Sequence, residues 1–165
     1  MAEAAEDLSL TRTDEEILEQ MYLIYSVNEE NYGVGINFVT EIVGLQKIID
    51  VPDVPIFIKG VINLRGQVIP VIDIRLRFGL PEIDYSDRTV IIVMEHNGVQ
   101  TGLIVDRVME VLEISDENIS SPPHGEETER DTLITGMGRH SDKVSFILDV
   151  ETLLYSSKTE HELSD

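Results

Sequence analysis

Residues 57–73 read FIKGVINLRGQVIPVID, and this stretch decides the fold. Two runs rich in β-branched residues flank the short connection Arg65-Gly66-Gln67, which is typical of a β-hairpin, and its glycine allows backbone conformations that other residues resist. Pro70 cannot donate a ladder hydrogen bond, so we expect the second arm at a sheet edge or at a bulge. The stretch therefore predicts a rigid, apolar hairpin that presents one arginine at its tip.

The composition indicates a small protein with an aliphatic core. The chain has 165 residues, which suits one domain or two small lobes that share a core. Apolar residues make up 42% of the chain, aromatic residues only 5%, and tryptophan is absent. The core must therefore be built from Ile, Val and Leu, and the bias toward β-branched side chains favours sheet over helix.

The charge and the missing cysteines exclude several classes of protein. A formal net charge of -20 repels phosphate backbones and anionic membrane surfaces, so we expect neither nucleic-acid binding nor direct insertion into a membrane. The same charge fits a protein with protein partners, and it also fits solubility alone. The absence of cysteine excludes disulfides, thiolate metal sites and a cysteine nucleophile. No signal-peptide pattern and no apolar stretch approaching ~20 residues is found, which predicts a cytoplasmic protein.

Short strands recur on both sides of the hairpin, separated by tight turns. The predicted strands are Met21–Val27, Tyr32–Ile36, Ile42–Ile49, Arg88–Met94, Thr101–Val105, Val108–Leu112, Leu133–Gly138 and Val144–Leu148. With the hairpin, about eight to ten strands at this spacing are typical of small barrels or a sandwich rather than of alternating βαβ units. Two small barrels with a shared core fit this count, with the boundary between the lobes near residues 82–88.

Two short helices and one helical link are predicted between the strands. Asp73 is placed to cap a helix that Gly79 ends. Asp149 is placed to cap a second helix that runs through Tyr155. Residues 38–41 are expected to form a short helical link.

The acidic ends and one acidic loop lie outside this pattern. Thr13 and Glu16 match a capping box, but the carboxylates of residues 1–18 favour a solvated, disordered extension over a helix. Residues 115–130 form a long acidic loop, of a kind that is often functional or mobile. Residues 157–165 are expected to be a polar tail.

No pattern of residues indicates catalysis, a metal site or a cofactor. The four histidines are His96, His124, His140 and His161, and none has the spacing of a metal pair on a helix. The sequence has neither a G-x-S-x-G elbow nor a P-loop. Thr135–Arg139 superficially resembles a phosphate-binding turn, but it lacks the third glycine and a following helix. The alternative is a small enzyme that uses carboxylates or a histidine cluster formed only in the fold.

Surface recognition is what remains, and Arg65 is its first candidate. Its guanidinium can bind a carboxylate of a partner in a bidentate manner and pack against apolar surface. Alternatively, it is a tether within the chain, to Glu41 or to Asp73. A second candidate is a set of apolar residues with few polar residues among them: Val39, Ile42, Ile58, Ile62, Val90 and Ile91. Most of these belong in the core, and some can line a groove between the lobes, where peptide-like partners dock.

Several longer motifs occur in one order along the chain. They are NYG at 31–33, VTEI at 39–42, PIFIKGVINLRG at 55–66, IPVIDIR at 69–75, DY at 84–85, TVIIV at 89–93, GLIVD at 102–106 and LITGMG at 133–138. In these motifs the chain resembles the CheW family of chemotaxis coupling proteins, over residues 20–155. The resemblance is specific because many motifs occur in the right order.

The resemblance implies an all-β fold over residues 19–156, with two five-stranded SH3-like barrels packed around a shared hydrophobic core and with short helices. It implies a non-catalytic adaptor without cofactor or metal. Such adaptors are cytoplasmic, are recruited to membrane receptor arrays, and bridge chemoreceptors to the histidine kinase CheA. The receptor's cytoplasmic tip lies in the groove between the barrels, while the regulatory domain of the kinase docks on other faces and can build rings. An adaptor of this fold in a motility or development pathway is the alternative.

The resemblance also assigns residues to the two partners. The residues at receptor-binding positions are Val39, Glu41, Gly60, Arg65 and Val90. Glu41 and Arg65 are expected to pair at the edge of the groove. Ile42 and Leu45 are expected to contact the kinase, because the strand prediction places them on an exposed edge.

Overall fold

The computed structural model describes residues 13–122 and 128–155. Its strands are β1 (Met21–Val27), β2 (Glu30–Gly35), β3 (Val39–Gly44), β4 (Ile58–Leu64), β5 (Gln67–Asp73), β6 (Val90–His96), β7 (Val99–Val105), β8 (Arg107–Glu113), β9 (Ile119–Ser120), β10 (Ile134–His140) and β11 (Lys143–Leu148). Its helices are α1 (Asp14–Glu19), α2 (Ile74–Arg77), α3 (Glu129–Leu133) and α4 (Val150–Tyr155), and 3-10 turns lie at Ile36–Phe38 and Asp116–Asn118. Residues 1–12 of the predicted extension, the predicted tail, His124 and His161 lie outside the described residues.

The strands form two sheets, each of which curls into a barrel. One sheet has six strands in the order β8-β1-β2-β11-β10-β9, and the other has five in the order β3-β6-β7-β5-β4. We call them the six-stranded barrel and the five-stranded barrel. The expected fold of two SH3-like barrels with short helices is confirmed. The additional strand is β9, whose two residues pair with β10.

The barrels are not consecutive halves of the chain. β1 and β2 belong with β8 to β11 because β2 pairs in parallel with β11, where Tyr32 lies opposite Phe146. The boundary expected near residues 82–88 does not separate the barrels, because that segment connects α2 to β6 within the span of the five-stranded barrel. In the described part, the chain crosses between the barrels at the turn Ile36–Phe38 and again at Asp106.

The strands alternate between a core that the barrels share and a core inside each barrel. In β1, Leu23 and Tyr25 are buried in the shared core, whereas Ile24 is buried inside the six-stranded barrel. In β6, Ile92 is buried in the shared core and Ile91 inside the five-stranded barrel. Successive side chains of a strand point to opposite faces. Strands that are buried on both faces therefore read as continuous apolar runs, as β6 does.

The two barrel interiors are filled differently. Seven buried residues fill the five-stranded barrel: Ile62, Leu64, Ile69, Val71, Ile91, Val93 and Ile104. The buried interior of the six-stranded barrel consists of Ile24, Ile114 and Ile147. Its strands approach these side chains at glycines, since a Cβ added to Gly138 would lie 3.0 Å from Ile114 Cδ1, and one added to Gly33 would lie 3.0 Å from Ile24 Cδ1. The six-stranded barrel is thus closed tightly around fewer large side chains.

Helix α1 begins where the sequence favoured a solvated extension. Thr13 Oγ1 accepts a hydrogen bond from the Glu16 N–H (3.1 Å), and Glu16 Oε1 accepts one from the Thr13 N–H (2.9 Å), which completes the capping box. The expected extension is therefore wrong from Thr13 onward, because the box satisfies N–H groups that a helix end leaves free. The link expected over residues 38–41 is instead the 3-10 turn Ile36–Phe38, after which β3 begins directly.

The elements around β5 follow the sequence with one exception. Asp73 caps α2 as predicted, since its Oδ1 accepts a hydrogen bond from the Arg75 N–H (2.9 Å). Pro70 does not lie on an edge strand, because β5 pairs with β4 on one side and with β7 on the other. The parallel ladder with β7 begins only at Val71, so the proline precedes it.

Candidate functional site

The edge strands of the five-stranded barrel, β3 and β4, are joined by two sets of contacts. After β3 ends at Gly44, the chain turns back to β4, where the Ile49 N–H donates to the Val61 carbonyl (2.8 Å) and the Val61 N–H donates to the Ile49 carbonyl (2.9 Å). An ion pair between the Glu41 carboxylate and the Arg65 guanidinium joins β3 to the tip of the β4–β5 hairpin. We call these contacts the closing seam, because they connect the two edges of the sheet.

Gly60 is required for the closing seam. It is buried, and its φ of 151° lies in a range that other residues rarely adopt. A Cβ at this position would lie 2.1 Å from the carbonyl oxygen of Ile49, well inside the closest non-bonded approach. Gly60 thus permits the bridge between Ile49 and Val61, and it offers no side chain to a partner.

A two-residue loop joins β4 to β5 and places Arg65 at the tip of the hairpin. Leu64 pairs with Gln67, and φ is 53° at Arg65 and 87° at Gly66, which is the pattern of a type I′ turn. The Gly66 N–H donates to Asn63 Oδ1 (2.9 Å). Asn or Gly suits the first position of such a turn better than arginine does. The turn therefore does not explain the choice of arginine.

The Arg65 side chain pairs with Glu41, one of the two tethers that the sequence left open. The other, Asp73, is buried and already accepts hydrogen bonds from the Arg75 N–H and from the Tyr85 hydroxyl (2.8 Å). Burial and the hydrogen bond to Asp73 raise the pKa of Tyr85, so its hydroxyl keeps the proton that it donates. The Arg65 side chain is still 68% exposed, so the ion pair contributes little to stability and leaves donors facing solvent.

Val39 and Val90 lie on the side of the sheet that is turned toward the shared core. In the ladder of β3 and β6, Val39 lies opposite Met94. Ile42 lies opposite Ile92, and both of these β6 residues are buried in the shared core. Residues that face each other across a ladder point to the same side of the sheet, and Val90 shares that side because it precedes Ile92 by two residues. Val39 and Val90 are half-buried there, whereas Ile42 is 43% exposed.

The predicted site residues therefore fall into two groups. The group on the closing seam consists of Glu41, Gly60 and Arg65. The group on the side of β3 and β6 that is turned toward the shared core, which we call the core-facing surface, consists of Val39, Ile42 and Val90. Val39 and Val90 lie at opposite ends of the ladder, because Val90 pairs with Gly44. Leu45 belongs to neither group: it is 41% exposed and follows the end of β3.

Several exposed apolar residues were missed by the sequence prediction. They include Ile49, Ile56, Val68, Met109 and Val111. Met109 is the extra residue of a β-bulge, since Ile24 pairs with Glu110 while Tyr25 pairs with Val108. Despite the bulge, the exposed residues of β8 keep a period of two, since Arg107, Met109, Val111 and Glu113 are all exposed. The alternation along this strand is therefore the signal that could have marked Met109 as exposed.

The described histidines and carboxylates are dispersed. Among residues 13–122 and 128–155, no group of three or more His, Asp and Glu side chains could hold a metal ion. None of the helices in that part of the chain is long and apolar enough to cross a membrane. His96 packs its ring on Phe38, with 5.6 Å between ring centroids, and His140 Nε2 lies 2.8 Å from Ser145 Oγ in a different hairpin. The two groups of site residues present apolar area and a guanidinium, which are groups that recognise proteins.

The chain is similar in sequence and in fold to known proteins. A family profile described as the CheW-like domain matches residues 21–158. The chain is similar to the chemotaxis protein CheW of Klebsiella aerogenes, with 35% identity over 143 residues that cover 87% of this chain and 86% of the relative. It is also similar to that of Bacillus subtilis, with 33% identity over 143 residues and coverage of 87% and 92%. The crystal structure of the scaffolding protein TtCheW from Thermoanaerobacter tengcongensis matches with a TM-score of 0.76 and 36% identity, over 83% of this chain and 93% of that one.

Proposed function

The chain belongs to the CheW-like family, and on that premise we propose that it is a non-catalytic adaptor that couples chemoreceptors to the histidine kinase CheA. It changes kinase output by holding receptor and kinase together, without chemistry of its own. It acts in the cytoplasm and reaches membrane receptor arrays through its protein partners. The net charge of -20 supports this proposal, because it disfavours nucleic acid and anionic lipid as alternative partners.

The observation that carries the proposal is the arginine at the tip of the closing seam. The type I′ turn favours other residues at that position, and the exposed pair with Glu41 adds little stability. Neither the turn nor stability therefore accounts for Arg65. A guanidinium that is oriented by one carboxylate and still exposed is suited to bind polar groups of a partner. We assign the receptor contact to Arg65, Glu41 and the core-facing surface, with Gly60 supporting the backbone behind them.

Ile42 and Leu45 take different roles in this proposal. The register places Ile42 on the same side as Val39 and Val90, which supports a receptor contact rather than the kinase contact expected from the sequence. Leu45 lies with the exposed Ile49 in the connection that leaves β3. We propose this apolar connection as the contact for the regulatory domain of the kinase. The side chains of Leu45 and Ile49 are not among the proposed receptor-binding residues, so receptor and kinase can be bound together, as assembly into rings requires.

A binding experiment tests the assignment of partners. The chain is titrated with a soluble cytoplasmic fragment of a chemoreceptor and, separately, with the regulatory domain of a CheA kinase, and the heat of binding is measured. We expect both fragments to bind. Binding of neither would contradict the proposed function.

The variant Arg65→Asn tests the role of the guanidinium. Asparagine suits the type I′ turn, so the fold is kept while the donors are removed. We expect the affinity for the receptor fragment to fall about tenfold, the effect of losing one charged hydrogen bond, with kinase binding and the circular dichroism spectrum unchanged. Arg65→Glu, which also repels Glu41, should weaken receptor binding further.

The matched control is Arg139→Gln, which removes an exposed arginine from β10 of the six-stranded barrel. It should leave receptor binding intact. An equal loss in Arg65→Asn and Arg139→Gln would show a general charge effect and contradict a direct contact by Arg65.

A further inference from the structure

A single residue carries the chain from the five-stranded barrel into the six-stranded barrel. β7 ends at Val105 and β8 begins at Arg107, so Asp106 alone lies between them. The other crossover in the described part uses the three-residue turn Ile36–Phe38. With one residue between two strands of different barrels, the backbone angles of Asp106 help to set the angle between the barrels.

The side chain of Asp106 also bonds to both barrels. Arg75, in α2 after β5, donates from Nε to Asp106 Oδ1 (3.0 Å) and from Nη2 to Oδ2 (2.8 Å). The Asn28 N–H, in the β1–β2 turn of the six-stranded barrel, donates to Asp106 Oδ2 (2.9 Å). The carboxylate is therefore shared between an arginine on one side of the crossover and a backbone N–H on the other.

The geometry of this contact differs from that of the other ion pairs between described residues. It is bidentate, and the side chains of Arg75 and Asp106 are only 12% and 27% exposed. Bidentate arginine–carboxylate pairs fix geometry as well as adding energy, and low exposure reduces screening by salt. The pair lies in a cleft of about 350 Å³ that is lined by both barrels.

The same short helix reaches the six-stranded side at a second place. Arg77 is buried beneath α4, which follows β11, and its Nη2 donates to the Thr152 carbonyl (3.3 Å). Its guanidinium stacks on the Phe57 ring at 4.7 Å from the centroid. α2 thus contacts the six-stranded side through Arg77 and binds the crossover residue through Arg75. At Asp106, a side-chain ion pair and the single-residue backbone crossover therefore constrain the two barrels together.

We propose that Asp106 is a positioning residue that fixes the angle between the barrels and thereby the shape of the receptor-binding surface. The claim about the angle stands on the structure alone, whereas the claim about the receptor rests on the proposed function. Asp106 lies outside both groups of site residues, which are on the five-stranded barrel, and acts through the placement of the six-stranded barrel against them.

The angle is tested by distances between spin labels. The chain contains no cysteine, so labels attach only where cysteines are introduced. Val68→Cys with Val144→Cys places one label on each barrel, and Val111→Cys with Val144→Cys places both on the six-stranded barrel; all three positions are exposed. In the Asp106→Asn background we expect the distance distribution between barrels to broaden or shift and the distribution within one barrel to stay the same.

The control background is Asp87→Asn, which makes the same charge change at an exposed residue of the connector before β6. It should change neither distribution. Arg75→Lys keeps the charge but not the bidentate geometry, and it should broaden the distribution between barrels as well. An unchanged distribution in Asp106→Asn would overturn the proposal.

Binding measurements distinguish a positioning role of Asp106 from a general loss of stability. The proposed kinase contact is an exposed connection of the five-stranded barrel, whereas the proposed receptor contact includes Val39 and Val90, which pack against the core that the two barrels share. Asp106→Asn should therefore lower the affinity for the receptor fragment about tenfold and leave the affinity for the kinase regulatory domain unchanged. Equal loss for both fragments would overturn the positioning role. If the unaltered chain binds no receptor fragment, the proposed function fails, and the spin-label distances still decide whether Asp106 sets the angle.

Discussion

The two barrels close in different ways. In the six-stranded barrel the edge strands β8 and β9 follow each other in the chain, joined only by residues 114–118, so chain continuity brings the edges together. In the five-stranded barrel the edge strands β3 and β4 are separated by residues 45–57, and the closing seam joins them through Ile49, Val61 and the pair of Glu41 with Arg65. The first closure is covalent and local, whereas the second depends on side chains and on one bridge.

This difference explains where the candidate site lies. A closure made by the chain itself requires no particular side chain at the two edges. A closure made by a seam needs residues on the surface of both edges, and those residues can also meet a partner. Three of the five predicted receptor-binding residues, Glu41, Gly60 and Arg65, belong to the closing seam.

Among the variants that test this difference between the two closures, Gly60→Ala is expected to have the largest effect on stability. The new Cβ would lie 2.1 Å from the Ile49 carbonyl oxygen, so the bridge to Val61 must separate. We expect a loss of about 3 kcal/mol or more in the free energy of unfolding, measured by urea denaturation. Gly44→Ala is the control, since its Cβ would meet no atom within 4 Å. Similar stability of the two variants would show that the bridge is dispensable.

The second prediction concerns the tight interior of the six-stranded barrel. A Cβ at Gly138 would lie 3.0 Å from Ile114 Cδ1, and we expect Gly138→Ala to cost about 1 kcal/mol through overpacking. Ile114→Val removes that Cδ1 and by itself costs about 1 kcal/mol. The double variant should lose less than the sum of the two. Additive losses in urea denaturation would show that the two residues do not compete for space.

The third prediction follows from the tyrosine that β2 places in the shared core. Burial raises the pKa of Tyr32 to about 12, from an ordinary value of 10.0. Between these values the unfolded chain has lost the hydroxyl proton and the folded chain has kept it, so the free energy of unfolding falls as pH rises through this window. Tyr32→Phe keeps the ring contacts with Phe78 and Phe146 and should make this fall shallower. Urea denaturation in steps across the window measures the slope, and equal slopes in both proteins would contradict the prediction.

The smallest effect on stability is expected for Arg65→Asn. The variant loses an exposed ion pair with Glu41, worth no more than about 0.5 kcal/mol, and gains a residue that suits the turn. We expect the free energy of unfolding to change by less than about 0.5 kcal/mol. A loss as large as that of Gly60→Ala would show that the ion pair, rather than the bridge, holds the closing seam.

Local features of this fold could be predicted from the sequence. The hairpin around Arg65, the strand Met21–Val27 and the Asp73 cap depend on neighbouring residues, and the structure places them as expected. The tether to Glu41 was one of two alternatives, and only the fold shows that Asp73 is already occupied. The residues that carry the resemblance to the family were visible as an ordered set of motifs.

The features that could not be predicted depend on pairings between distant segments. β2 pairs with β11, and nothing in the β2 sequence indicates a partner so far along the chain. The side on which Ile42 lies follows from its register with β6, which the hydrophobicity of β3 alone does not determine. In each case, the missing information is the identity or register of the partner strand.

The way in which the chain is threaded through the two barrels sets an order of events during synthesis. The strands of the five-stranded barrel are contiguous, from Val39 to Val105, so this barrel can close while the rest of the chain is still on the ribosome. The β1–β2 hairpin emerges earlier but pairs with β11 only when Phe146 arrives opposite Tyr32. At a synthesis rate of about 5–20 residues per second, the edge of β2 that pairs with β11 stays unpaired for several seconds. The nascent hairpin is thus the segment of this protein most exposed to chaperones and to mispairing with other chains.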